Sequence, residues 1–164
     1  LRIAVLSDTH DDRGTVRRAL ELARRRGAAE VFHCGDLVSP ATAELFRGWT
    51  LQYVAGNMDR DGEAVRAAVE RLGMGSAYGG ELHFERDGKR ILLLHGNRSG
   101  RLSAAIQSGD YDFVFHGHTH RRRDERFGRT RVINPGALGG RSTENHSFLL
   151  VDLAGGEAEF IGAE

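Results

Sequence analysis

The segment Ile3-Ala4-Val5-Leu6-Ser7-Asp8-Thr9-His10 joins a short apolar run to a cluster of polar side chains able to bind metal. A run without polar alternation is what a parallel strand buried on both faces requires, and the change at Ser7 marks its carboxyl end. A helix is predicted next. Val16, Ala19, Leu20, Leu22 and Ala23 recur at helical spacing, with Thr15 as the predicted cap and Gly27 as the stop. The same unit then repeats. Val31-Phe32 runs into His33-Cys34-Gly35-Asp36, Pro40 opens a helix predicted to reach Arg47, and residues 51–54 run into Gly56-Asn57-Met58-Asp59 before a helix over 62–72. This alternation dictates parallel strands with crossover helices.

The second half changes character. Residues 81–85 and 90–94 flank Asp87-Gly88, the strongest short hairpin signal. A helix over 101–108 leads to Phe113-Val114-Phe115, which ends at His116-Gly117-His118-Thr119-His120, and four more strands are predicted around 124–127, 130–133, 147–153 and 157–161. No repeat, linker or low-complexity stretch interrupts the chain. The expectation is one α/β domain over residues 1–164 whose second half turns largely antiparallel.

Composition removes several function classes. The 23 basic residues balance the 23 acidic ones, so there is no global positive field to capture nucleic acid non-specifically. No apolar run exceeds about five residues, far below the roughly 20 that span a bilayer. Asp8 cuts short the first apolar run, so no secretory leader is read. Cys34 is the sole cysteine, which excludes an intramolecular disulfide and fits a reducing, cytoplasmic compartment. Residues 78–84 are expected to form an exposed strand edge through which a homo-oligomer would pair.

The chemistry gathers at one structural place, the carboxyl ends of strands, where open α/β folds bind ligands. Asp8 and His10 follow the first strand, Asp36 the second, Asn57 the third, His95 the hairpin strand, and His118 with His120 the next. Six of the eight histidines lie at such ends, which scattered surface histidines would not do. Seven oxygen and nitrogen ligands exceed the need of one tetrahedral ion, so two divalent ions are the economical reading. Imidazole mixed with carboxylate suits manganese, iron, zinc or nickel better than calcium or magnesium. Asp8-x-His10 reads as an extended segment whose alternate side chains reach one ion. His118-x-His120 either repeats that geometry or splits its rings between two ions. Gly35 and Gly56, lacking Cβ, would let the backbone approach a bound phosphate.

Asp8-x-His10, Gly35-Asp36, Gly56-Asn57-x-Asp59, His95 and Gly117-His118-x-His120 resemble, in order, the motifs of the calcineurin-like metallophosphoesterases. The length and the Asn134-Pro135-Gly136 turn resemble the family's small bacterial and archaeal phosphodiesterase branch. The resemblance covers about residues 2–153. It implies a four-layer αββα sandwich of two mixed β-sheets flanked by helices, with a dinuclear site at the strand ends. It assigns Asp8, His10 and His120 to one ion, Asn57, His95 and His118 to the other, and Asp36 as the bridge, with manganese as the expected metal. It further implies a hydroxide between ions about 3.5–4 Å apart attacking phosphate in line, with Asp36, Asn57 and His95 central to catalysis.

Two positions depart from the family pattern. Met58 stands where many relatives have a histidine that contacts phosphate, and a thioether cannot donate a proton. Asn97 stands where branch members frequently have a second histidine. General acid catalysis is worth about 10²–10⁴-fold, so esters with acidic leaving groups should be favoured. Phosphodiester hydrolysis is the expected activity. Small phosphomonoesters, or a non-catalytic metal-binding scaffold of the same fold, are the alternatives; a protein phosphatase would need insertions to build a peptide groove. Around the ligands, His33 and His116 either orient them or pack at strand ends, and Asp59 either ties down the Asn57 loop or caps a helix. Arg98 is a candidate substrate contact. Cys34 is expected to be buried and inert, Arg121-Arg122-Arg123 a solvated strand face, and Phe46, Trp49 and Tyr53 ordinary core.

Overall fold

The computed structural model describes residues 1–164. In chain order the strands are β1 (Arg2–Leu6), β2 (Glu30–His33), β3 (Thr50–Val54), β4 (Ala77–Gly79), β5 (Glu81–Arg86), β6 (Lys89–Leu94), β7 (Phe113–Phe115), β8 (Arg122–Phe127), β9 (Thr130–Pro135), β10 (Ser147–Asp152) and β11 (Ala158–Gly162). The helices are α1 (Arg13–Arg25), α2 (Pro40–Ala43), α3 (Gly62–Arg71) and α4 (Ser99–Ser108). They form two sheets, ordered β11-β10-β1-β2-β3-β4 and β5-β6-β7-β9-β8. In the first, β1 to β4 run parallel and β10 and β11 add antiparallel. In the second, β6, β7 and β9 run parallel between antiparallel β5 and β8.

Side-chain alternation explains the layering. Ile3, Val5, Phe32 and Val54 from one sheet meet Ile91, Leu93, Phe113, Phe115 and Ile133 from the other in a core between the sheets. The opposite faces of the same strands, with Ala4, Leu6, Val31 and Leu51, pack on Val16, Ala19 and Leu20 of α1 and Val65 and Val69 of α3. On the far side Leu92, Leu94, Val114 and Val132 pack on Ala105 of α4. Each central strand is therefore buried on both faces, as its unbroken apolar run demands. The architecture is the expected four-layer αββα sandwich. No helix is long and apolar enough to cross a membrane.

Three local expectations are corrected. Asp12, not Thr15, caps α1: its carboxylate accepts the Thr15 amide at 3.1 Å and the Thr15 hydroxyl at 2.8 Å. The first turn, Arg13-Gly14, faces solvent and so carries no apolar periodicity to reveal it. The helix after Pro40 ends at Ala43 and continues only as a 3₁₀ turn over Glu44–Phe46. Residues 78–84 do not form one strand: the chain leaves the first sheet after Gly79 and enters the second at Glu81, so β4 and β5 are outer edges of different sheets. The hairpin turn is as expected, with φ of 53° at Asp87 and 72° at Gly88.

Candidate metal centre

The carboxyl ends of β1, β2 and β3 lie side by side, and those of β6 and β7 face them from the second sheet. Backbone hydrogen bonds knit the loops that follow. The Asp8 and His10 amides donate to the Gly35 and Asp36 carbonyls at 2.9 and 3.0 Å, and the Gly117 amide donates to the His95 carbonyl at 3.0 Å. Asp8, His10, Asp36, His118 and His120 all adopt positive φ, between 44° and 71°. The expected extended Asp8-x-His10 segment is thus a left-handed turn. Asp and His tolerate that region better than bulky residues do, and it aims both side chains at the same point.

Asp8 is fully buried. Its Oδ2 accepts the Ser7 hydroxyl at 2.6 Å and the His118 amide at 3.0 Å, whereas Oδ1 has no hydrogen-bond partner, alone among buried side-chain atoms. An unmet buried acceptor costs about 1–3 kcal/mol, more when charged. That atom lies 3.3 Å from His120 Nε2 and 3.8 Å from His10 Nε2, which are 3.2 Å from each other. The orphaned oxygen and the two ring nitrogens fit a cation, and Asp8, His10 and His120 can hold one.

Asp8, Asp36 and His95 form a second such group. Asp36 Oδ2 stands 3.3 Å from His95 Nε2 and 3.8 Å from His10 Nε2, so it faces both groups, while its Oδ1 accepts the Met58 amide at 2.7 Å. His95 Nδ1 donates to the Cys34 carbonyl at 2.7 Å, leaving Nε2 toward Asp36 and 2.9 Å from Asn57 Oδ1. His120 Nδ1 likewise donates to the Arg141 carbonyl at 2.6 Å. Such backbone acceptors fix the ring orientation that metal-binding histidines need. The rings of His118 and His120 part company: His118 packs on His95 and His120 on His10, each pair with centroids 5.1 Å apart.

The electrostatics agree with a missing positive charge. The Asp8 carboxylate, 3.3 Å from Nε2, raises the His120 pKa to about 9 against the opposing effect of burial. Burial works against a charged His95, yet bonds to Asp36 and the Cys34 carbonyl raise its pKa. Burial pushes Asp36 up, but His95 and the Met58 amide outweigh it and hold it below its ordinary value. Protons on these rings are what a cation would displace.

The contacts of the flanking residues choose between the roles the sequence left open. His33 is buried: its Nδ1 accepts the Gly35 amide and its Nε2 donates to Thr9 Oγ1, both at 3.2 Å, so it braces two ligand loops without facing the metal groups. His116 Nδ1 donates to the Gly117 carbonyl at 3.0 Å and its Nε2 accepts from Arg123 at 3.4 Å. Burial above all lowers these two pKa values to about 3 and about 4, so both rings are neutral. Asp59 does not cap α3, a task taken by Asp61. Its carboxylate accepts the Val38 amide at 2.9 Å, the Gly56 amide at 2.8 Å and the Tyr53 hydroxyl, tying the Asn57 loop to its neighbours. Tyr53 is therefore more than core.

Arg121 and Arg122 are exposed, as expected of a solvated face, while the Arg122 Nε donates to Ser147 Oγ at 2.9 Å and the half-buried Arg123 reaches His116. Gly35 and Gly56 make room for ligand side chains: a Cβ would lie 2.6 Å from His95 Nδ1 at Gly35 and 2.1 Å from Asp36 Oδ1 at Gly56. Cys34 is buried, with burial raising its thiol pKa well above the ordinary value. Sequence reasoning passed over Ser7, Asp11 and Arg141. Asp11 accepts the Ser39 and Thr42 hydroxyls at 2.7 Å each and so joins the first ligand loop to α2; only its acidic character beside Asp8-x-His10 hinted at this. A cleft of about 400 Å³ opens beside Asn57 and His95, lined also by Gly80, Glu81, Asn97, Arg98 and Arg101.

A family model for the calcineurin-like phosphoesterase superfamily domain matches residues 1–156. The chain belongs to that superfamily. The calcineurin-like phosphoesterase is 32% identical over 145 residues to the phosphodiesterase MJ0936 of Methanocaldococcus jannaschii, covering 87% of each chain. Among solved structures it resembles an archaeal phosphodiesterase, with a TM-score of 0.94, 29% identity and 99% of each chain covered. It shares its fold with a vacuolar protein sorting 29 from Cryptosporidium parvum at a TM-score of 0.71 and 19% identity, covering 98% and 95% of the two chains. As a calcineurin-like phosphoesterase it is a metal-dependent phosphoric ester hydrolase that uses divalent ions.

Proposed function

We propose that this is a phosphodiesterase with a dinuclear centre: Asp8, His10 and His120 hold one divalent cation, Asn57, His95 and His118 the other, and Asp36 both. The observation that carries this reading is the orphaned Asp8 Oδ1 facing two imidazole nitrogens beside an Asp36 oxygen shared between two groups. Manganese is the proposed metal, because mixed imidazole and carboxylate donors suit it. Bound there, the cations supply Lewis-acid stabilisation of the phosphoryl oxygens and lower the pKa of water toward neutrality.

The protein's own groups do the rest. The carbonyls of Cys34 and Arg141 lock the His95 and His120 rings, so no reorganisation is needed as charge develops. Asp8 and Asp36 supply two negative charges against the four positive of two dications. The remaining positive charge favours an anionic phosphate, and Asn57 adds a ligand without neutralising it. Met58 and Asn97 offer no proton, which restricts the reaction to leaving groups that depart as anions. The relatives named phosphodiesterases support the diester over the monoester. Retention of all seven ligand residues favours an enzyme over a scaffold.

The test uses metal-stripped protein with bis(p-nitrophenyl) phosphate or p-nitrophenyl phosphate, adding manganese, nickel, zinc or magnesium. Metal-dependent release of nitrophenol, greater from the diester and lost in Asp36→Asn and His95→Ala, is expected. Greater turnover of the monoester would replace diester by monoester. No turnover with two ions bound would turn the reading to a scaffold.

A further inference from the structure

The cleft beside Asn57 and His95 is polar, and its charges are unequally paired. Arg101 is neutralised by Glu81, whose two oxygens accept its Nε and Nη2 at 2.7 and 2.9 Å. Glu81 is held below its ordinary pKa chiefly by that bond and is not an acid near neutral pH. Arg98 lines the same cleft, is exposed, and forms no ion pair or side-chain hydrogen bond. The cleft therefore presents one uncompensated cation next to the candidate centre and, apart from His95 itself, no group that could protonate a departing oxygen.

These two features select the same kind of leaving group. An alkoxide needs a proton as it departs, which neither Asn97 nor Met58 can give. A phosphate needs none, since its second pKa is about 6 in an ester, and it carries the charge that an unpaired arginine binds well. We propose that the substrate class is the phosphoanhydride, a pyrophosphate diester, with Arg98 binding the phosphate that leaves. The proposal rests on the phosphodiesterase reading above and narrows it.

Hydrolysis consumes one water. Its oxygen forms a bond to the attacked phosphorus, and the bond from that phosphorus to the bridging oxygen breaks. The bridging oxygen keeps the electron pair and leaves as part of a phosphate monoester. One proton of the water ends on a phosphate product and the other in solvent, according to pH. Aryl diesters share the acidic leaving group but lack its charge, so they report on the centre without engaging Arg98 in the same way.

The experiment compares diadenosine pyrophosphate with bis(p-nitrophenyl) phosphate on manganese-loaded protein, for the native chain, Arg98→Ala and Arg98→Lys. The native protein should cleave diadenosine pyrophosphate to two adenosine monophosphates with the higher kcat/KM. Arg98→Ala should lower that value about tenfold more than the value for the aryl diester, as loss of a charge-assisted hydrogen bond implies, and Arg98→Lys should restore part of it. Cleavage of the aryl diester alone, or equal losses on both substrates, overturns the proposal and leaves the phosphodiesterase reading standing. Failure of both substrates on the manganese-loaded protein overturns both.

Discussion

The fold treats the two oxygens of Asp8 unequally: Oδ2 is engaged by Ser7 and by the His118 amide, while Oδ1 is left bare toward His10 and His120. The division requires a glycine at position 117, where a Cβ would lie 1.9 Å from Ser7 Oγ and 2.6 Å from Asp8 Oδ2. Gly117→Ala should displace that carboxylate. Overpacking of this kind costs about 1–3 kcal/mol, and the variant should lose both stability in urea and affinity for manganese in titration calorimetry. Undiminished affinity would mean that Asp8 does not need this position. At this scale the candidate ligands were legible because each is a polar residue directly after an apolar run. Ser7 and Arg141 were not: sequence does not show that the Ser7 hydroxyl turns onto the carboxylate of its neighbour, and the Arg141 carbonyl becomes a partner of His120 only when their two loops meet.

Elements position the ligands through their loops, and the loop after β3 has the most explicit support. Asp59 gathers the Val38 and Gly56 amides and the Tyr53 hydroxyl, and the Tyr53 oxygen in turn accepts the Leu37 amide at 3.3 Å. Tyr53→Phe keeps the ring in the core but leaves the Leu37 amide unpaired and Asp59 short of a donor. A loss of about 1–3 kcal/mol is expected, seen as a lower urea midpoint. The Asn57 loop, held on one side less, should show faster amide exchange; protection equal to the native chain's would sink the idea. Strands and helices were read from apolar period alone, which is why β1 to β3 and α3 were legible. The β4–β5 switch was not: Gly79-Gly80 marks a break in sequence, but a break does not show that the pairing partner changes there from one sheet to the other. Tyr53 misled for a related reason: burial of its ring is visible in sequence, but the destination of its hydroxyl is not.

The whole molecule couples its stability to metal and to protons. Cations that bind only the folded chain stabilise it by about 2.7 kcal/mol at a hundredfold excess over Kd. Chelation should therefore lower the Tm and manganese restore it, as differential scanning calorimetry would record.

Protons act through two different windows. His120, raised to about 9 by Asp8, contributes stability to the metal-free chain below the unfolded value of 6.5 and loses it as pH rises toward 9. His33 acts in the opposite sense. Buried and neutral, it titrates near 3 when folded and near 6.5 when unfolded, so between those values the unfolded chain binds a proton that the folded chain refuses. Stability must then fall as pH drops below 6.5, by about 1.4 kcal/mol per pH unit for one such group, or on the order of 2 kcal/mol by pH 5. His116, near 4 when folded, adds to the same slope. His120 and His95, both raised, act in the opposite sense as pH rises past 6.5, so it is the comparison of the native chain with a His33 variant that isolates the buried ring. Urea unfolding of chelated protein at pH 7, 6 and 5 should give the predicted slope, and His33→Gln should make it shallower by about one proton. An unchanged slope in that variant would mean that His33 accepts a proton in the folded state, against the bonds that hold it between Gly35 and Thr9.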